Sequence, residues 1–422
     1  MKQETLKIIL ISVGTRGDME PFLALAEYLK RRGHEVVVAF PEQFRGLAED
    51  SATNFYSLGS EFMELMEGED GKMIMGGKAT IFQKFLALIR LYKRGVKVNS
   101  DMVLRQKELL DQEEPDRVIF HAKSSYPLIW EILNPGKTIM VSPIPCVIHP
   151  VKTYPHVGFN LNLGSTINRL TYKLANYGLL QNVMSSTKEI RKVIGVNRKQ
   201  LSKSLLEIKM VYAVSSLLFQ RQVNWPANVK LLGYHERDKK ANWEADPLLS
   251  PFIEKYPKVL FVTFGSMSNP DPSSKTRVLL DILEKHEIPC IVNTAASGLE
   301  RPDEYACDHI HFVEQIPYDW IFPKVHAVIH HGGSGTTHMA LKYGCPSLII
   351  PHIIDQFFWN RIVNDLGVGP KGMSITKINS QNLEPLILDV FQNEKYKKRA
   401  LELASQMKEE DHREELFDFI ES

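Results

Sequence analysis

Residues 7–40 read KIILISVGTRGDMEPFLALAEYLKRRGHEVVVAF. Lys7 to Val13 is a β-branched run without polar alternation, the pattern of a strand covered on both faces in a parallel sheet. Gly14 to Gly17 form a short glycine-bearing loop. Phe22, Leu23, Leu25, Ala26 and Leu29 then recur at helical spacing, and Gly33 offers a C-cap. Glu35 to Phe40 returns as a second strand. Strand, glycine loop, helix and strand in that order describe a doubly wound α/β unit.

The same rhythm restarts at Lys258 to Phe264, followed by Gly265-Ser266-Met267 and a helix from about Ser274 to His286. Further strands are expected at Pro289–Asn293, His309–Val313, Ala327–His330 and Ser347–Ile350. Residues 233–257, rich in charge, Trp and Pro, separate the two series. Two domains and a linker follow, with one large sheet carrying a long insertion as the alternative. Residues 60–80, with Met63, Met66, Met73 and Met75 among glycines and acids, read as an adaptable loop. Residues 81–98 set Lys84, Arg90, Lys93, Arg94 and Lys97 beside Phe82, Phe85, Leu86, Ile89 and Leu91. That pattern suits a surface helix packed on the core or a helix lying on an anionic membrane.

A chain of 422 residues is long enough for two or three domains. Its 51 basic and 50 acidic residues leave a formal charge of +1, which argues against a protein built to grip nucleic acid. The four cysteines, Cys146, Cys290, Cys307 and Cys345, form no CxxC, so zinc-ribbon, redox-pair and disulfide-framework readings lapse. A reducing compartment, by default the cytoplasm, is expected, with peripheral membrane contact open. The apolar run Ile8–Val13 is too short for a signal-peptide core. No run reaches the ~18 residues needed to cross a bilayer.

The chemistry concentrates at His330-His331-Gly332-Gly333-Ser334-Gly335-Thr336-Thr337, between a strand and a helix. Close glycines let backbone approach a ligand, and the start of the next helix favours an anion such as a diphosphate. Ser334, Thr336 and His331 can add hydrogen bonds. The loop is neither GxGxxG nor GxxxxGK[ST], so dinucleotide and P-loop readings lose their support. Downstream, Asp355-Gln356 follows the next strand and supplies donors and acceptors suited to sugar hydroxyls.

The run from Phe312 to Val363 resembles the nucleotide-sugar signature of family 1 glycosyltransferases, above all the sterol 3-beta-glucosyltransferases and the antibiotic glycosyltransferases. Pro317-Tyr-Asp-Trp-Ile-Phe-Pro323, the loop at 330–337 and Asp355-Gln356 carry the likeness. The plant signature places its Asp-Gln pair twenty-four positions after the phosphate-binding His, which from His331 falls on Asp355. Val13 to Phe22 resembles the opening loop of the same branch. Tyr154-Pro-His156 and Phe264-Gly-Ser-Met267 resemble further pieces of it.

The resemblance implies an α/β GT-B fold, two Rossmann-like doubly wound domains facing each other across a cleft. The expected organisation is an acceptor-binding domain at 1–235, a linker at 236–257, a donor-binding domain at 258–395, and a C-terminal helix at 396–422 packing back on the first domain. It implies that His331, Gly332, Gly333, Ser334, Gly335 and Thr336 hold the donor diphosphate, with Ser266 reaching a phosphate. Asp355 and Gln356 would bind the sugar, and Val313 would sit by the base. Asp18 stands three residues before Pro21, where related plant enzymes carry a basic His, and is the expected general base; its other reading is a helix N-cap. Thr15, Arg16, His121 and His156 are expected on the acceptor side.

The implied activity is inverting transfer of a sugar, glucose first, from a UDP-sugar to a hydroxyl of a lipophilic acceptor such as a sterol, triterpenoid or other natural product. The nucleotide sugar is a co-substrate rather than a cofactor. No metal is expected to be obligatory, and the sequence has no DxD triplet. Two departures bear on the donor. Met339 stands where the plant signature has a ribose-binding Glu, and Phe312-Val313-Glu314 where it stacks a Trp on uracil. TDP is therefore an alternative to UDP. A nucleotide-sugar epimerase or hydrolase, and a non-catalytic glycosyltransferase helper, are the other functional classes.

Overall fold

A computed structural model describes residues 4–422 apart from 52, 71–80, 160–161, 238–242, 245, 268, 270 and 296–297; within the helix Ile81–Glu113 it leaves out the side chains of 81–85, 88–89 and 92–93. The described chain divides into two compact units. The first takes the residues up to Arg237 together with Asp411–Ser422, and the second those from Trp243 to Glu410.

In the first unit β1 (Lys7–Ile11) leads into the helix α1 (Arg16–Arg32), which returns through Gly33 to β2 (Glu35–Phe40). Gly33 adopts φ 101°, a left-handed C-cap that glycine reaches without strain. β3 (Asn54–Ser57), β4 (Arg117–His121), β5 (Thr138–Ser142), β6 (Lys209–Tyr212) and β7 (Val229–Leu231) follow. The described strands form one sheet in the order β3-β2-β1-β4-β5-β6-β7, every pairing parallel. Ile8 to Ile11 are fully buried, because helices cover both faces of such a sheet.

In the second unit β8 (Leu260–Thr263), β9 (Cys290–Asn293), β10 (Ile310–Val313), β11 (Ala327–His330) and β12 (Ser347–Ile349) form a parallel sheet in the order β10-β9-β8-β11-β12. Each unit has its own apolar core. One is built on Ile8, Leu10, Phe22, Val38 and Ile119; the other on Leu260, Val262, Leu280, Val292 and Ile329.

The helix Glu394–Glu409 stays with the second unit, while the helix Arg413–Glu421 joins the first. Leu416, Phe417 and Ile420 bury themselves in the first core. Arg117 donates to the carbonyls of Ile420 and Glu421 at 2.9 and 2.8 Å, satisfying oxygens that a helix C-terminus leaves without partners. Arg32 stacks 4.7 Å above the Phe417 ring.

The methionine-rich segment is not all loop. Glu61–Glu67 is helical, and Met63 and Met66 lie in it, whereas Met73 and Met75 fall outside the described residues. The cationic stretch from residue 81 does become a helix, which runs on to Glu113. Its Arg90 is engaged by Asp70, so part of its positive charge is compensated. The side chains of Lys84, Lys93, Phe82, Phe85 and Ile89 fall outside the described ones. Among the described residues no helix is long and apolar enough to cross a membrane.

Candidate active site

In an open α/β sheet the ligand crevice lies at the carboxyl ends of the strands where the strand order reverses. In the first unit that point is between β1 and β4, which pair as Ile11 with Phe120. The loop after β1 carries Asp18, and the end of β4 carries His121 and Lys123. Asp18 is the third residue of α1, only 6% exposed, and its Oδ2 accepts the Thr15 N–H at 2.7 Å. Asp18 is therefore not the N-cap itself: Thr15 is, and the Asp18 carboxylate reaches back to its N–H as the third-residue partner of a capping box.

That is half of its environment. Lys123 Nζ donates to the same Oδ2 at 2.9 Å, and His121 Nε2 lies 3.5 Å from Oδ1. Burial by itself would raise the Asp18 pKa. The Lys123 ammonium, His121 and the Thr15 N–H outweigh it and hold the carboxyl below its ordinary value. Burial pushes His121 down to about 4, so the imidazole is neutral near pH 7 and Lys123 is the charge that counts. The edge of the His121 ring meets Phe22 of α1 at 6.2 Å, fixing its orientation.

Gly14 makes this packing sterically feasible. Its φ is 141°, and a Cβ there would stand 2.1 Å from Asp18 Oδ2 and 2.7 Å from Lys123 Nζ. Thr15 caps α1 through its backbone. Arg16 is exposed and paired with Glu20 at 2.9 Å. His156 makes its contacts elsewhere: its ring packs edge-on against Tyr172 and Phe159, and its Nδ1 accepts the Gly158 N–H at 3.0 Å. Tyr126 and Trp130 are buried in the helix Tyr126–Leu133.

The second sheet reverses between β8 and β11, where Thr263 pairs with His330. The loops after these strands hold Ser266, which is exposed, and His331, which is 8% exposed. Gly265 and Gly333 make room for the His331 ring. A Cβ on Gly265 would meet its Cε1 at 2.9 Å, and one on Gly333 its Nε2 at 2.4 Å. Gly332, at φ 91°, presses against Ile349 and Gln356; a Cβ there would come within 2.6 Å of the Ile349 Cγ2.

The helix Ser334–Lys342 then starts on Gly333 with no side-chain cap. Its first turn, Ser334-Gly335-Thr336, presents backbone N–H groups that have no intrahelical partner. Burial drives His331 well below its usual pKa, so it meets a ligand as a neutral imidazole with an N–H to donate. Its Nδ1 has no partner among the described residues.

The third loop, after β12, carries a strained residue. Ile354 has φ 33°, a conformation that β-branched residues avoid, immediately before Asp355. Asp355 caps the helix Gln356–Asp365. Gln356 is buried, and its carboxamide oxygen accepts the N–H groups of His352 and Ile353 at 2.7 and 3.1 Å. What Gln356 can offer a ligand is therefore its NH2 end. Val313 ends β10, and its carbonyl accepts the Thr294 N–H at 2.9 Å. Met339 is buried.

Two site features escaped the sequence reading. Lys123 carries no motif of its own, and neither does the Ile354 strain; only the distance of Lys123 from the end of a strand hinted at a place in a crevice.

These two sheets, each with a glycine loop and a helix start at its reversal point, define the GT-B architecture. The amino-terminal part, residues 8–109, matches the glycosyltransferase family 28 N-terminal domain; residues 279–421 match the erythromycin biosynthesis protein CIII-like C-terminal domain. The chain is thus a GT-B glycosyltransferase homologue, distantly related to the sterol and antibiotic glycosyltransferases. It is 27% identical over 428 residues to sterol 3-beta-glucosyltransferase UGT80A2 of Arabidopsis thaliana, covering 96% of this chain and 64% of that protein. It spans about two thirds or less of the curated relatives it matches. Among solved structures, the calicheamicin glycosyltransferase CalG4 superposes with a TM-score of 0.73 at 15% identity, over 99% of this chain and 98% of that one. The Streptomyces sp. SF2575 glycosyltransferase SsfS6, complexed with thymidine diphosphate, matches with a TM-score of 0.61 at 18% identity, covering 99% of each chain.

Proposed function

We propose that the protein is an inverting glycosyltransferase that moves a sugar from a nucleoside diphosphate sugar to a hydroxyl of a lipophilic acceptor. The observation that carries this reading is Asp18, a carboxylate that is buried yet held ionised at the reversal point of the first sheet. An acceptor hydroxyl is a poor nucleophile until its proton has somewhere to go. Asp18 takes that proton as the oxygen attacks the anomeric carbon, and the bond from that carbon to the diphosphate breaks. Lys123 and His121 hold the carboxylate in place. In-line attack inverts the anomeric centre.

The leaving diphosphate carries the negative charge away. The N–H groups of Ser334, Gly335 and Thr336 with the His331 imidazole are suited to receive it, and Ser266 can add a hydroxyl. Asp355 and the NH2 end of Gln356 are suited to sugar hydroxyls. The donor is a UDP-sugar, with UDP-glucose first because the sterol glucosyltransferases are among the relatives. A TDP-sugar is the alternative, supported by the TDP complex of SsfS6 and by the buried Met339. The acceptor is a hydroxylated lipid such as a sterol or triterpenoid.

Acceptor-dependent release of nucleoside diphosphate, measured with UDP-glucose and TDP-glucose against pooled sterols, triterpenes and phenols, tests the reading. Release that needs an acceptor and drops by about 10²–10⁴-fold in Asp18→Asn is expected. Release without any acceptor would shift the protein to the hydrolase or epimerase class. Nucleotide binding without turnover on any acceptor would make it a helper.

A further inference from the structure

The helix Ser165–Ser186 is apolar on two opposite sides. Tyr172, Leu180 and Val183, with Asn168, face the unit and are buried. Tyr172 donates to the carbonyls of Tyr154 and Pro155, and Asn168 donates to that of Lys152 at 3.1 Å. At 3.6 residues per turn, Ile167, Leu170, Leu174 and Tyr177 fall on the other side. These four and Leu163, just ahead of the helix, are 44% to 60% exposed. Scattered exposed leucines are ordinary. Five large apolar side chains in one stripe of roughly 20 Å are a surface with an occupant.

Charge says which occupant. No Asp or Glu lies between Glu131 and Glu189, whereas Lys137, Lys152, Arg169, Lys173 and Lys188 do. Arg169 and Lys173 are exposed on the same helix as the stripe. The Arg198 guanidinium sits 4.4 Å above the Tyr177 ring and opens the helix Arg198–Glu207, where Lys199 and Lys203 are also exposed. An apolar stripe flanked by cations fits the boundary between anionic headgroups and acyl chains. A second copy of this face fits less well: a two-fold contact would bring the cations of both copies together, and the helix Ser165–Ser186 has no carboxylate to pair with them, while Glu189 and Glu207 further on are engaged by Lys192 and Lys203.

We propose that the face formed by Leu163, Ile167, Leu170, Leu174 and Tyr177 docks the protein onto an anionic lipid surface, its apolar side chains entering the acyl boundary while Arg169, Lys173 and Arg198 meet headgroup phosphates. This places membrane contact on the helix Ser165–Ser186 rather than on the cationic helix that begins at Ile81. It goes beyond the transfer reaction and stands on surface chemistry alone. Its test therefore contains neither nucleotide nor acceptor.

Flotation is measured with vesicles of phosphatidylcholine and of phosphatidylcholine containing one third phosphatidylglycerol. The wild-type protein floats with the anionic vesicles and is released as salt rises. Leu170→Ser combined with Leu174→Ser lowers that partition by at least about tenfold, since each lost side chain removes apolar area from the lipid. Arg169→Gln with Lys173→Gln lowers it on the anionic vesicles only. The substituted positions are exposed, so all variants keep the wild-type unfolding temperature. Wild-type protein that floats with neither vesicle overturns the proposal. So does flotation unchanged in the leucine variant, or a wild-type dimer that the leucine variant turns into a monomer without change in vesicle binding.

Discussion

The Lys123 ammonium lies 2.9 Å from Oδ2 of Asp18, a residue 105 positions earlier in the chain. The pair sets both the charge and the direction of the carboxylate that α1 presents at the β1–β4 reversal. A buried Asp without such a partner would favour its neutral form and could not accept a proton at neutral pH. On the proposed reading Lys123 is a positioning residue for the base, and its effect is expected in the pH dependence.

Removing Lys123 leaves burial as the largest influence on Asp18, and burial raises a carboxyl pKa. In Lys123→Met the acidic limb of the kcat/KM profile moves to higher pH. Above that limb turnover holds or rises, because the base is stronger. A limb unmoved by the substitution would separate Lys123 from the function of Asp18.

The same pair contributes to stability with a definite sign. The folded Asp18 pKa is depressed, so its contribution is present above the unfolded carboxyl value and is lost as pH falls through the folded one. Urea unfolding should show wild type more stable than Asp18→Asn at neutral pH. The gap closes as the pH drops below the ordinary carboxylate range. A gap that widens on acidification contradicts the ionised assignment.

Gly14→Ala tests the space that the pair needs. An alanine Cβ would overlap the Asp18 carboxylate, and the φ of 141° strains any side chain. Displacing the base by about 1 Å costs turnover on the order of 10²-fold. Titration with UDP or TDP alone should show wild-type affinity, since the proposed diphosphate site lies on the second sheet.

Gly333→Ala makes the converse change. Its Cβ would come within 2.4 Å of His331 Nε2 and push the ring out of place. Nucleotide affinity measured by calorimetry should fall by about tenfold or more, the equivalent of roughly one charge-assisted hydrogen bond. Gly333 has a φ of −62°, so little backbone strain accompanies the loss and the unfolding temperature changes little.

Phe417→Ala tests the return of the chain to the first unit. The residue is buried in that core and stacked by Arg32. A buried Phe→Ala costs about 3–5 kcal/mol. Thermal unfolding should move down by several degrees with the nucleotide affinity of the second unit unchanged.

Most of the fold was legible in local sequence. Lys7–Val13, Gly14–Gly17 and the periodic residues up to Leu29 specify strand, loop and helix through contacts only a few residues long, and the echo at Lys258–Met267 does so again. The place of His330–Thr337 between a strand and a helix was legible for the same reason, since its glycines break the regular pattern locally. Residues 60–80 were read too simply. Glu61–Glu67 is a helix, and the glycines that suggested a loop begin only at Gly68.

What the chain's own order determined about this protein was therefore the set of strands, the glycine loops at their ends and the composition of the loop at His330–Thr337. Tertiary structure decided who meets whom at those ends. Asp18 reads as a general base or a helix cap, but only the parallel register of β1 and β4 brings Lys123 and His121 to its oxygens. Gln356 reads as a sugar contact from sequence, and only the folded turn shows that its oxygen is taken by the N–H groups of His352 and Ile353. The helix Ser165–Ser186 carries large apolar residues on two sides, and only packing decides that Tyr172, Leu180 and Val183 are buried while Ile167, Leu170 and Leu174 are not. Short-range preferences are encoded residue by residue, but pairing between strands and the side a helix buries are settled only by packing over the whole unit. That is where the charge, burial and exposure that make a site are fixed.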